Sequence, residues 1–336
     1  MRNENLKHCR ICFSNKLTSY LDLGKQPFSN SFLKYKDLKN EKKFPLKVVL
    51  CKHCGLSQLS IIPNTKFIFS KYDYLSSSSK ALSNHYKKLV KKLVKNYDVF
   101  STNTVLDIGC NDGILLNHYP KNFSNVIGVE PSDASKHIKQ KRIKLIESFF
   151  NYKTSEEYLK KHAKPKIITI TNVLAQIDNL NEFVKSLSNI TDSESLIVIE
   201  FPYLIHMIDK GLFDLIYHEH LSYISVIPLV SFLKKFNLEI VDIQQRDIHG
   251  GSIRIFISVI DNYKVKKSVT KICKMENRAK LNSKKVLINF QKKVIQNRIQ
   301  LTALLTKLKK MGKLDYLFTA PLLSIIIIAL SIIYFI

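Results

Sequence analysis

A chain of 336 residues with 45% hydrophobic content can bury a core sufficient for two or three domains, which excludes a disordered polymer. Its 53 Lys and Arg stand against 27 Asp and Glu, a net charge of +26 that favours polyanions. The lysines are scattered through nearly every segment, so a dedicated nucleic-acid surface is not indicated, and a phosphate-bearing small ligand would be equally welcome.

The opening "MRNENLKHCRIC" has no apolar stretch between its charges and its first cysteines, so no secretory signal is expected and the setting reads as cytoplasmic. Four of the six cysteines form two pairs, Cys9 with Cys12 and Cys51 with Cys54, while Cys110 and Cys273 stand alone. Two cysteines separated by two residues can turn both sulfurs toward one centre. Two such knuckles complete a four-thiolate shell for Zn2+. A closed shell leaves no open coordination position, so this zinc should fold residues 1–70 and not catalyse.

In the following segment, 71–262, "TVLDIGCNDGILL" (104–116) reads as strand, tight glycine turn and helix start. The next strand, "NVIGVEPS" (125–132), ends in Glu130, suited to gripping the two ribose hydroxyls of a nucleoside. The loop is GxNDG and not GxGxxG, which leaves less provision for a pyrophosphate and points to S-adenosylmethionine. Asp107, Gly109, Asn111, Asp112, Gly113, Glu130, Pro131, Asn172 and Val173 are the candidate donor-binding residues. Five further strand-like runs follow: 143–150, 166–174, 195–204, 238–245 and 252–260. Helical stretches separate most of them, and the last two lack one. The fold class is therefore α/β, a Rossmann-like S-adenosylmethionine-dependent methyltransferase sheet with an antiparallel hairpin edge and a small N-terminal zinc-binding domain.

"YHEH" (217–220) follows the strand ends on the donor side. A metal site there fails on spacing, because a histidine pair on a helix face falls at i and i+4. Proton transfer and a satisfied polar turn both remain open. "HGGSIR" (249–254) is likewise either a hairpin turn or an active-site wall.

With "LDLGKQPFSNSFL" (21–33), "YDYLSSSS" (72–79), "EFPYL" (200–204) and "IYHEHLSY" (216–223), these motifs resemble the sugar C-methyltransferase family, zinc-binding enzymes that methylate a ring carbon of nucleotide-linked 4-keto-deoxysugars. The resemblance implies a base, His220 or Tyr217, that makes an enolate, with Glu219 holding a sugar hydroxyl or orienting a neighbour. It implies substrate contacts from Tyr74, Ser77, Gln176, Tyr203, His249, Ser252 and Arg254. Gln176 stands where the family usually has histidine, and it cannot shuttle a proton at neutral pH. A nucleic-acid methyltransferase is the alternative, but "TNVL" replaces the Asn/Asp-Pro-Pro-aromatic clamp that base-amine methylation uses. Another is an inactive donor-binding remnant. After a lysine-rich helical segment (263–313) the resemblance stops, and the family's C-terminal, nucleotide-holding domain is expected to be missing. The uncharged tail at 316–336 then reads either as a displaced reading frame or as a membrane anchor.

Overall fold

A computed structural model describes residues 4–29, 34–63, 68 and 74–312. Short strands β1 (Glu4–Asn5), β2 (Leu17–Gln26), β3 (Phe44–Cys51), β4 (Ser57–Leu59) and β5 (Ile61–Ile62) open the chain. Helix α1 (Lys80–Asn96) follows, started by the Ser79 hydroxyl accepting from the Leu82 N–H and buried along Leu82, Tyr86, Leu89, Val90 and Leu93. Then come β6 (Val105–Ile108), β7 (Val126–Val129), β8 (Ile143–Ile146), α2 (Tyr152–Leu159), β9 (Ile167–Thr171), α3 (Leu180–Asn189) and β10 (Leu196–Pro202). The chain continues through α4 (Leu204–Lys210), β11 (Ser222–Tyr223), α5 (Val226–Lys234), β12 (Leu238–Arg246), β13 (Ser252–Val259), α6 (Lys267–Ala279) and α7 (Lys284–Lys310).

The main sheet runs β12-β13-β10-β9-β6-β7-β8, with β13 antiparallel to both neighbours and the rest of the sheet parallel. Its central strands are mostly Val, Ile and Leu and are buried on both faces, as helices covering both sides of a parallel sheet demand. The connections from β6 progress outward through β7 and β8, then return to β9 and β10 on the other side. That reversal opens a crevice beyond the carboxyl ends of β6 and β9, the place where such sheets bind ligands.

A second sheet, β11-β4-β3-β2, ties the zinc-binding segment to the methyltransferase segment. Its edge strand comes from residues 222 and 223, where Ser222 pairs with Gln58 and Tyr223 with Ser57. One hydrophobic cluster accordingly runs from Cys9, Ile11, Cys51 and Leu56 into the buried strands of the main sheet.

Three local expectations also change. No α-helix follows the donor loop. Pro120 comes too soon after Gly113, and the segment makes only one 3-10 turn at Leu116–His118. The run 143–150 is strand only to Ile146, where the β-branched residues give way to Glu147 and Ser148. The helical segment after β13 is two helices, because Lys280 takes a left-handed conformation (φ 48°) and the Ser283 hydroxyl then starts α7 by accepting from the Val286 N–H. No helix among the described residues is long and apolar enough to cross a membrane, and the tail read as a displaced frame or an anchor, 316–336, lies outside them.

Candidate active site

The two knuckles meet. The Sγ atoms of Cys9, Cys12, Cys51 and Cys54 all lie within 4.8 Å of one another, with Cys9 and Cys54 at 3.5 Å and Cys12 and Cys51 at 3.6 Å. Zinc bonded to four sulfurs at about 2.3 Å sets neighbouring sulfurs roughly 3.8 Å apart, so the donor set fits a structural Zn2+. None of the four is in a disulfide.

The donor loop lies at the crevice. Asp107, buried at the end of β6, accepts the Thr169 hydroxyl at 2.6 Å, and burial pushes its carboxyl up to about 7. Gly109 has a φ of +74°, and a Cβ there would come within 2.3 Å of Val173 Cγ2, so only glycine fits. The Asn111 N–H donates to Glu130 Oε2 at 2.8 Å, joining the first two strand ends. Asn111 and Asp112 also clasp the segment before α1. Asn111 Oδ1 accepts from the Ser76 N–H, its Nδ2 donates to the Tyr74 carbonyl, and Asp112 Oδ2 accepts from the Ser77 N–H.

A cavity of about 810 Å³ opens over this loop, within the range that small-molecule sites occupy. Of the candidate donor-binding residues, Gly109, Asn111, Glu130, Pro131, Asn172 and Val173 line it; Asp107, Asp112 and Gly113 stand behind and shape the loop. The cavity fits S-adenosylmethionine on two counts. Glu130 spends three acceptor positions on Asn111 and Ser132 and has one left for a ribose hydroxyl. Asn172 Oδ1, shielded from solvent, has no partner among the described residues and would accept from an ammonium or amine N–H. Asn111, Asn172 and His249, all on the cavity, hold positive φ (51°, 60° and 51°), and local strain of this kind gathers where a site needs it.

The YHEH segment faces the same space. His220 is buried; its Nδ1 donates to the Leu215 carbonyl at 2.9 Å, which leaves Nε2 to accept the Tyr217 hydroxyl at 3.0 Å. Burial first, and then the charge of His249, push His220 down to about 4, against the help of the Leu215 bond. Tyr217 and His220 both line the cavity. Glu219 is buried and accepts the Ser29 hydroxyl at 3.0 Å, bringing a residue of the zinc-domain region to the site. His218 turns the other way, onto the Pro45 carbonyl and the rings of Phe28 and Phe44.

Among the candidate substrate residues, Tyr74, Gln176 and His249 line the cavity. Four do not. Tyr203 is fully buried, and its hydroxyl donates to Glu276 Oε1 at 2.7 Å, because α6 packs a carboxylate beneath it. Ser252 donates to the Ile248 carbonyl inside the β12–β13 turn. Ser77 contributes its backbone to Asp112 and stays off the cavity wall. Arg254 is no open anion contact: it is 3% exposed and spent on Glu200, with Nε at 2.8 Å and Nη2 at 2.6 Å from Oε2. His85 of α1 closes the group, its Nε2 lying 2.6 Å from Glu200 Oε1. Sequence reading missed His85 and Tyr86, although Leu82, Tyr86, Leu89 and Leu93 carry helical spacing. It also missed Ser148 and Phe149 on the cavity, by extending the third strand over them, and Asn151 just past that run.

Three family profiles match the chain in succession: a zinc binding domain over residues 9–69, a methyltransferase domain over residues 79–243 and a C-methyltransferase C-terminal domain over residues 247–333. The third match overturns the expectation that the C-terminal domain is missing, for it runs through α6, α7 and past Lys313. An apolar run read alone looks like a membrane segment or a displaced frame; read with the helices before it, it belongs to that domain. Among curated proteins, the C-methyltransferase NovU of Streptomyces niveus is 28% identical over 253 residues, covering 75% of this chain. The chain spans 60% of that relative's length. Among solved structures, an S-adenosylmethionine-dependent methyltransferase of Clostridium acetobutylicum is 15% identical with a TM-score of 0.42, covering 53% of this chain and 92% of its own. Magnesium protoporphyrin IX methyltransferase of Synechocystis, solved with bound S-adenosylhomocysteine, is 11% identical with a TM-score of 0.40, covering 57% and 91%. By the three successive domain matches and the four-cysteine centre, the chain is built as a zinc binding domain, a methyltransferase domain and a C-methyltransferase C-terminal domain in series.

Proposed function

We propose that the chain methylates a ring carbon of a keto-deoxysugar carried on a nucleotide, by removing a proton beside the carbonyl and directing the enolate onto the donor's methyl group. One observation carries this reading: the Tyr217–His220 pair opens onto the same cavity as Gly109, Asn111 and Glu130. S-adenosylmethionine, when bound, supplies an electrophilic methyl on a positively charged sulfur. Carbon becomes a nucleophile only when a neighbouring proton is taken by a positioned base. The Tyr217 hydroxyl already donates to His220 Nε2. The phenolic oxygen can therefore accept the carbon-bound proton while its own proton passes to the imidazole. The C–H pair becomes the enolate, its carbon forms the bond to the methyl, and the C–S pair stays with sulfur. Burial disfavours imidazolium in the resting site, and the negative charge that develops on the enolate oxygen offsets that cost. Gln176 and His249 on the same walls are suited to hold the sugar's oxygens. The curated relative's printed name supports carbon as the methylated atom. The sugar is supported by the motif resemblance, and its nucleotide by the +26 charge.

The test mixes the chain with methyl-labelled donor and a thymidine-linked 4-keto-deoxysugar. Label is expected on a ring carbon, with a fall of about a hundredfold or more in His220→Ala while calorimetric donor affinity is kept. Unlabelled sugar, or full transfer by His220→Ala, refutes the reading.

A further inference from the structure

Arg10 lies between the two cysteines of the first knuckle, yet it is 7% exposed. Its guanidinium leaves the zinc sheet and enters the methyltransferase domain. There Nη2 donates to the carbonyls of Ile177 and Asp178, the latter at 2.6 Å, and Nη1 donates to the Ser222 hydroxyl. Its backbone is held from both sides: the N–H donates to Gln58 Oε1 at 2.9 Å, and the carbonyl accepts from Asn181 Nδ2 at 2.8 Å.

These partners belong to the site. Ile177, Asp178, Asn179 and Glu182 line the donor cavity. Ser222 begins the edge strand two residues after His220, and Leu221 between them is bonded on both sides, its N–H to the Ala175 carbonyl at 2.8 Å and its carbonyl to the Leu59 N–H at 3.0 Å. A cation buried this far is tolerated only where fixed acceptors replace water. The backbone carrying it is fixed in turn by its neighbours Cys9 and Cys12, two members of the metal-binding set.

We propose that Arg10 is a positioning residue, through which the zinc knuckle holds the 177–182 loop and the start of β11 and so sets the donor cavity and the catalytic pair. The proposal rests on the reading of that cavity as the methyl-donor site. It gives the closed metal centre a role in the active site without any contact between metal and substrate.

The test compares wild type, Arg10→Gln and Arg10→Lys as full chains, following zinc content, hydrogen–deuterium exchange and calorimetric affinity for S-adenosylmethionine. Arg10→Gln is expected to keep its zinc, to exchange amides 177–183 about tenfold faster and to weaken donor affinity by about the same factor, the scale of lost charged hydrogen bonds. Arg10→Lys should recover part of both, and carries the comparison should Arg10→Gln not fold. Stripping zinc from wild type should raise exchange at the same amides, and stripping it from Arg10→Gln should add little there. Wild-type exchange at 177–183 in Arg10→Gln, or those amides staying protected after zinc is stripped, overturns the proposal. Wild type that binds no donor would sink the donor-site reading alone, since the exchange comparison still decides the role of Arg10.

Discussion

In the proposed reaction His220 takes up a proton, and its readiness to do so is set by its surroundings. Its unfolded value is near 6.5, and burial brings it to about 4 in the fold. A reaction that needs the neutral imidazole should therefore keep its kcat/KM level from about pH 8 down to about pH 5. An acid limb with its midpoint near 6.5 would show that His220 is not the group being titrated. The same shift acts on stability. Between about pH 6.5 and 4 the unfolded chain binds the proton that the fold refuses, so stability falls as pH falls through that window. His218 and His249, also lowered by burial, act in the same direction. Denaturant midpoints across this range, wild type against His220→Gln, read the contribution of His220. At this scale the sequence exposed residue types well and partners poorly. "YHEH" displayed a cluster of titratable side chains, but nothing in it says that His220 bonds Tyr217 while His218 turns onto Phe28 and Phe44.

At the scale of elements, strand ends decide what can meet. Glu200 lies in the carboxyl-terminal half of β10 and receives Arg254 from the antiparallel neighbour directly opposite it, then His85 from α1. Arg254→Met leaves that carboxylate buried beside a single histidine, and a loss of about 3–5 kcal/mol is expected in urea unfolding. The double variant Arg254→Met, Glu200→Gln should recover much of it. A loss below about 1 kcal/mol for Arg254→Met would mean that the pair is not desolvated as found. The strands themselves were legible, because runs such as "IITIT" and "LIVIEFP" are β-branched and apolar on both faces. Their partners across the sheet were not, and so Arg254 was expected to contact substrate, whereas it is spent on Glu200.

At the scale of the whole molecule, the zinc module takes its edge strand β11 from the segment that follows β10 of the methyltransferase sheet, and one hydrophobic core runs through both. Chelation should therefore do more than unfold the first 60 residues or so. A drop of at least about 5 °C in melting temperature, together with lost transfer, is expected on metal removal and should reverse with added Zn2+. Unchanged melting after verified zinc loss would separate the two halves. Sequence alone determined what local chemistry dictates: paired thiols for a metal, a glycine turn at a strand end, an acidic second strand tip and the alternation of strand and helix. Each of these is written within a few consecutive residues, where spacing and residue type suffice. Tertiary structure decided which of those pieces share a space. Tyr217 with His220, the 109–113 loop and Arg10 are brought together by strand order and by β11 crossing into the zinc sheet. Contacts between positions so distant in the chain leave no local pattern to read.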